Sequence, residues 1–232
     1  MNLIPGEIIS YLTMCQHEGV NLQRGMNFRL KGGLTVILMS LRENSPYADR
    51  VEENGTVLIY EGHDMPKYKD LKKDPKNINQ PEFTPAGSLT ENGKFYKVAQ
   101  EYKKGNISAE LVKVYEKVRP GIWTYSGIFE LIDAWQENDG KRDVFKFKLK
   151  MTNKTESLQT EVLDLEHTRM IPTSVKLDVW KRDKGQCVVC EAKDNLHFDH
   201  IIPFSKGGTS LSSENIQIMC ARHNLEKRDK IV

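Results

Sequence analysis

Two pairs of potential metal ligands near the C-terminus constrain this chain more than any other feature. Cys187-x-x-Cys190 and Cys220-x-x-His223 stand on either side of residues 191–219. Each pair has the spacing with which one tight turn offers two donors to a single tetrahedral ion, so the four residues form a Cys3His set suited to zinc. Four protein ligands leave no open position for a substrate, which makes that ion a structural staple. A segment of about 60 residues buries little core of its own. Zinc binding energy, on the order of 10 kcal/mol, is folding energy in such a module. The remaining cysteine, Cys15, stands alone and is expected to pack in a core. This usage points to metal in a reducing compartment rather than to disulfides.

At 232 residues the chain has room for one large domain or two smaller ones. With 38% hydrophobic and 28% charged residues it has the composition of a globular protein rather than a disordered one. The net charge of +2 neither requires nor excludes a nucleic-acid partner, because binding DNA takes a basic surface and not a basic total. Apolar runs such as Leu34–Leu41 are far short of a bilayer span. No basic region followed by an apolar core opens the chain, so a cytoplasmic protein with no membrane partner is expected.

Residues 1–153 read as a β-rich territory. Strands are expected over Leu34–Leu41, Thr56–Tyr60, Ile122–Trp135 and Val144–Lys150. In the last of these Phe145, Phe147 and Leu149 alternate with Lys146, Lys148 and Lys150, which predicts one buried face and one basic face, either solvated or touching DNA. Glu7–His17 has the pattern of an amphipathic helix with Ile8, Ile9, Leu12 and Cys15 inward. Lys67–Thr90, rich in proline and lysine, is expected to be a long loop. A linker is placed at 154–172 and a second domain at 173–232, opening with a short helix that Thr173 or Ser174 caps and that runs through Asp183.

Between the ligand pairs lie Leu196-His197-Phe198-Asp199-His200-Ile201-Ile202-Pro203, then Lys206-Gly207-Gly208, then Glu214-Asn215. A strand ending at Asp199-His200, a glycine turn, a second strand from near Asn215 and a helix from near Ala221 make a ββα unit. These residues resemble the HNH nuclease family over about 183–230, whose pattern is C-x-x-C, D-H-I-x-P, G-G, E-N and C-x-x-C-[HN]-x-x-K. His223 stands where a fourth cysteine is usual, and Asn224 where many members have a histidine. The resemblance implies phosphodiester hydrolysis at a one-metal site. Its chemistry needs an activated water and a stabilised phosphate charge. His200 is the candidate general base, since an unperturbed imidazole accepts a proton near neutral pH. Asp199 and Asn224 offer hard oxygen donors for a catalytic Mg2+ or Mn2+. Asn215 is expected to orient His200 through its ring or its backbone. Arg222 and Lys227 either grip phosphate or are solvated helix charges, while His197 is expected to be an exposed strand residue and Phe198 and Ile201 core.

Trp123-Thr124-Tyr125-Ser126-Gly127-Ile128-Phe129-Glu130-Leu131 with Trp135, preceded by Tyr47-Ala48-Asp49, Ile59-Tyr60-Glu61-Gly62 and Asn79-Gln80, resembles SRA domains over about 33–150. Ser126 replaces the signature aspartate. The resemblance implies a PUA-like β-barrel that flips a modified cytosine, 5-methyl- or 5-hydroxymethylcytosine, out of double-stranded DNA. Tyr47 and Tyr60 would stack on that base and Asp49 would accept from its amino group. The chain is thus expected to be α+β, an SRA/PUA-like barrel with flanking helices and a small zinc-stapled ββα-metal domain. Joined, the two resemble a prokaryotic modification-dependent restriction endonuclease, expected to act as a homodimer. The competing expectations are an HNH nuclease indifferent to base modification and a non-catalytic zinc DNA-binding protein.

Overall fold

The computed structural model describes residues 3–67, 73–152, 170–203 and 206–227. Its first elements are β1 (Glu7–Ser10) and, directly after it, α1 (Tyr11–Glu18). Ser10 caps that helix by accepting from the Thr13 N–H, and Gly19 ends it at φ +65°. The expected helix over Glu7–His17 is therefore a strand over its first four residues and a helix over the rest. Ile8 and Ile9 are β-branched and find pairing partners, Thr124 and Trp123 on one side and, for Ile8, Leu196 on the other. Tertiary pairing overrides the helical pattern. The helix then buries Met14 and leaves Leu12 66% exposed, with Cys15 half-buried.

The barrel strands follow as β2 (Met26–Asn27), β3 (Thr35–Met39), β4 (Arg50–Glu52), β5 (Val57–Glu61), β6 (Glu110–Arg119), β7 (Ile122–Asn138) and β8 (Asp143–Met151), with α2 (Glu91–Lys103) between β5 and β6. The stretch from 91 to 119, unassigned from sequence, holds α2 and β6. Thr90 caps α2 with its hydroxyl on the Gly93 N–H, and Glu91 and Lys103 suit the two ends of the helix dipole. The other expected strands form close to their predicted ranges. Strand β3 runs parallel to β6, and β7 is long enough to pair with β1 at its start and β8 at its end.

The sheet rolls around one core. Met26, Ile37 and Met39 from one end of it and Leu58 and Tyr60 from the other pack into the same cluster with Phe129, Phe145, Phe147 and, from α2, Phe95 and Ala99. The Tyr60 hydroxyl donates to the Leu38 carbonyl at 3.4 Å, joining β5 to β3. The expected basic face of β8 is corrected at one position. Lys146 is 3% exposed, because β5 places Glu61 opposite it in register, and its Nζ lies 2.9 Å from that carboxylate.

The expected linker falls largely outside the described residues. Past it, the described residues form α3 (Thr173–Arg182), β9 (Leu196–His200), β10 (Ile216–Cys220) and α4 (Ala221–Lys227). Strand β9 pairs with β10 and with β1, so the C-terminal hairpin continues the barrel sheet in the order β10-β9-β1-β7-β6-β3-β2. A second core gathers Val175, Val179, Leu196, Phe198, Ile216 and Ile218 around Val118 of β6. Among the described residues no helix is long and apolar enough to cross a membrane.

One buried ion pair ties α3 to the barrel: Lys176 Nζ lies 2.5 Å from Glu116 Oε2, both side chains are at most 3% exposed, and the Thr173 hydroxyl donates to the same carboxylate. Removing one partner of a buried pair strands the other charge, at a cost of about 3–5 kcal/mol. Glu116→Gln should therefore lower the urea-unfolding free energy by about that amount, and Glu116→Gln combined with Lys176→Met should recover much of the loss.

Candidate functional site

The four sequence-predicted zinc ligands converge. Cys187 and Cys190 flank the knuckle turn, Cys220 ends β10 and His223 sits in the first turn of α4. Their donor atoms all lie within 4.8 Å of one another. His223 Nδ1 is 3.5 Å from Cys187 Sγ and 3.3 Å from Cys220 Sγ, and the Cys190 and Cys220 sulfurs are 3.8 Å apart. Tetrahedral zinc with Zn–S near 2.3 Å and Zn–N near 2.0 Å has ligand–ligand edges of about 3.5–3.8 Å, so the set fits that ion. Burial pushes the Cys187 thiol up, but backbone N–H groups of Cys220, Cys190 and Val189 outweigh it, and the group comes down to about 6. A thiolate at neutral pH is the form that binds metal.

Between these ligands, Asp199 and His200 end β9 and are both buried. The Asp199 carboxylate accepts from Gln217 Nε2 at 3.2 Å and pairs with Lys227 Nζ at 3.0 Å. His200 Nε2 lies 2.8 Å from Ser210 Oγ. Asn215 does not bond the His200 ring. Its carboxamide accepts from the Ile202 N–H at 2.8 Å and donates to the Ile202 and Thr209 carbonyls, each at 3.0 Å, while its own carbonyl accepts from the Ile201 N–H. It thus holds the backbone that leaves His200. Gly208 packs against the same segment so closely that a Cβ there would lie 1.8 Å from the Ile202 carbonyl oxygen.

Helix α4 packs on β9 and β10. It carries Asn224 one turn before Lys227, a spacing that puts the two on one face. Lys227, expected either to grip phosphate or to be a solvated helix charge, has a buried side chain. It is 4% exposed, pairs with Asp199 and donates to the His200 carbonyl. Arg222 is exposed, 3.0 Å from His223 Nε2 and within 3.9 Å of Glu226. His197, expected to be exposed, is 5% exposed, on a strand that pairs with β1 on one edge and β10 on the other. Phe198 lies in the core as expected, and Ile201 is half-buried.

Residues 187–232 match the family model described as HNH endonuclease. The chain carries an HNH endonuclease module at its C-terminus. No curated protein matches the chain. Among solved structures, it is similar to the SUVH5 SRA domain in complex with hemi-methylated CG DNA, at 20% identity over 69% of this chain and 99% of that one, TM-score 0.42. It is similar to the SUVH5 SRA domain bound to fully hydroxymethylated CG DNA, at 22% identity over 69% and 99%, TM-score 0.40. A third is the DNA modification-dependent restriction endonuclease AspBHI, at 12% identity over 72% and 88%, TM-score 0.47.

Away from the HNH module, Tyr47, Asp49 and Tyr60 line one cavity of about 770 Å3, together with Arg24, Gly25, Leu38, Ser40, His63 and Trp123. Ser126 lines a different, small cavity beside Lys176 and His200. The Tyr47–Asp49 loop and the end of β5 brace each other: Glu61 accepts from the Ala48 N–H at 3.1 Å and Asp49 accepts from the Glu61 N–H at 2.9 Å. Behind them Arg142 pairs with Asp64 at 2.6 Å, and Gln80 bonds both the Gly62 carbonyl and the Phe145 N–H. Asn79 is bound to Asp143 in the same way, so the Asn79-Gln80 dipeptide staples the start of β8 to the end of β5.

Asp49 keeps part of its surface exposed, yet its carboxyl is desolvated, and burial lifts it to about 7 against the pull of the Glu61 and Ser40 N–H donors. Such a proton is held more tightly by the folded chain than by the unfolded one. The stability it contributes is full below the ordinary aspartate range and is lost as pH rises through 7. Asp49→Asn cannot charge, so its melting temperature should rise relative to wild type between pH 5 and pH 9 and show no such gain at pH 4. For the knuckle, elemental analysis should find one zinc per chain. Cys190→Ala at the exposed ligand should lose it and render 173–232 protease-sensitive.

Proposed function

We propose that the chain is a modification-dependent DNA endonuclease that reads a modified cytosine flipped from the duplex and hydrolyses phosphodiester bonds with its HNH module. The observation that carries this reading is the union, in one sheet, of the HNH module with a barrel whose 770 Å3 cavity gathers Tyr47, Asp49 and Tyr60. A flipped base needs a flat stacking surface and a hydrogen-bonding edge reader, and these three residue types supply both. Half-ionised near pH 7, Asp49 accepts from the cytosine amino group in its charged form.

In the HNH module His200 takes the proton of the attacking water, with Ser210 and the Asn215-held backbone fixing its ring. Asp199 and Asn224 are the oxygen donors for a Mg2+ or Mn2+ ion, and Lys227 gives the Asp199 carboxylate a second positive neighbour. Such an ion, when bound, stabilises the charge that develops on the phosphate and leaving oxygen. The Cys3His set is assigned to structural zinc. One such site cuts one strand, so the unit that breaks both is a homodimer, and a prokaryotic defence role against modified DNA follows.

The test is cleavage in Mg2+ or Mn2+ of matched duplexes carrying cytosine, 5-methylcytosine or 5-hydroxymethylcytosine. Cutting confined to modified DNA is expected, and His200→Ala should reduce it by at least about a hundredfold with zinc content unchanged. Equal cutting of all three would leave an HNH nuclease indifferent to modification. Binding without cutting would leave a zinc DNA-binding protein.

A further inference from the structure

His63, two residues beyond the end of β5, lines the same cavity as Tyr47 and Tyr60. Its ring stacks on Tyr47 with centroids 5.3 Å apart and planes 16° from parallel, and its Nε2 lies 3.1 Å from the Tyr60 hydroxyl. The backbone that carries it is clamped. Asn92 of α2, itself 2% exposed, accepts from the His63 N–H and donates to the His63 carbonyl, both at 2.8 Å. Gly25 closes the pair from the opposite side, where a Cβ would lie 2.7 Å from His63 Nε2 and 2.8 Å from the Tyr60 hydroxyl. The ring is thus a fixture. It lines the 770 Å3 cavity on one side and a second cavity of about 550 Å3 on the other.

The chemistry of that fixture is that of a hydroxyl reader. Burial is the main influence on the imidazole and lowers it to about 4, so the ring is neutral at physiological pH. A neutral imidazole donates from one nitrogen and accepts at the other. With Nε2 on Tyr60, Nδ1 is the second polar atom, and among the described residues nothing hydrogen-bonds to it. A methyl group offers such a nitrogen nothing, whereas a hydroxyl can both donate and accept. In cytosine the C5 substituent sits beside the amino group, so an edge read by Asp49 brings that substituent to the neighbouring wall of the cavity. At 770 Å3 the cavity falls in the roughly 300–1,000 Å3 range of drug-sized ligand sites, roomier than a methylated pyrimidine alone requires.

We propose that His63 is a specificity-determining residue that hydrogen-bonds the hydroxyl of 5-hydroxymethylcytosine, making that base the preferred ligand over 5-methylcytosine. This rests on the modified-base reading above. The test measures fluorescence-anisotropy affinities of the full chain, without added Mg2+ or Mn2+, for three duplexes that differ only in carrying cytosine, 5-methylcytosine or 5-hydroxymethylcytosine at one site. Wild type should bind the hydroxymethylated duplex about tenfold more tightly than the methylated one, the worth of one buried hydrogen bond. His63→Phe, which keeps a flat ring without nitrogens, should bring the two to parity and leave the methylated duplex within about threefold. His63→Gln should keep part of the preference.

A wild-type chain that binds both modified duplexes alike, and better than the unmodified one, overturns the role of His63 and leaves the base pocket standing. So does a preference that survives His63→Phe. If all three duplexes bind alike, the modified-base reading itself fails. Where His63→Phe does not fold, the wild-type comparison still tests the preference and His63→Gln, which should keep only part of it, tests the role of the ring.

Discussion

The pairing of β9 with β1 is the constraint on which the C-terminal half depends. A ββα unit of this size has too little apolar surface to close a core alone, and its hairpin solves the problem by borrowing. Leu196, Phe198, Ile216 and Ile218 pack against Val118 and partly buried Ile8 and Ile122, all barrel residues. The same pairing covers the second edge of β9 at Leu196 and His197, and His197, Asp199 and His200 are all buried along this strand. A metal ion on the Cys3His set would then have only the outer end to hold, where Cys187, Cys190 and His223 lie beside Cys220 at the end of β10.

Burial on this scale leaves charges that need partners, and the structure supplies them in pairs. Asp199 has Lys227, Glu116 has Lys176, and Glu61 has Lys146 with Arg142 at 3.7 Å. These pairs fix geometry more than they add stability, since desolvation offsets most of the attraction. Asp49 is the contrast. Among the described residues it has backbone N–H donors but no ion-pair partner, and its carboxyl is lifted to about 7 by burial. A perturbed carboxyl lining a cavity is a candidate functional group.

The sequence displayed the parts of the molecule in which one residue type has one use. Four soft ligands at fixed spacing identified the knuckle, and D-H, G-G and E-N located the strand ends and the turn of the HNH unit. Alternation located β3, β5, β7 and β8. Where two outcomes share one pattern, reading failed: Ile8 and Ile9 fit a helix face as well as a strand, and only the pairing of β1 on both sides decides. Lys146 and Lys227 looked like surface charges because their counter-ions, Glu61 and Asp199, lie 85 and 28 positions away in the chain. His63 directly follows Tyr60-Glu61-Gly62, yet nothing in local sequence says that Asn92 will hold it there.

The shared sheet also sets what a reader and a cutter can do together. Trp123 lines the base cavity and pairs in register with Ile9 of β1, whose neighbour Ile8 pairs with Leu196 at the start of the strand that ends in Asp199 and His200. Two strand spacings of about 4.8 Å therefore separate the cavity wall from the nuclease strand. A tethered nuclease would sample many positions along DNA and cut at a spread of distances. On the proposed function, a nuclease built into the same sheet as the cavity would hold His200 at a near-fixed offset from that cavity, a narrower range than a tether would allow.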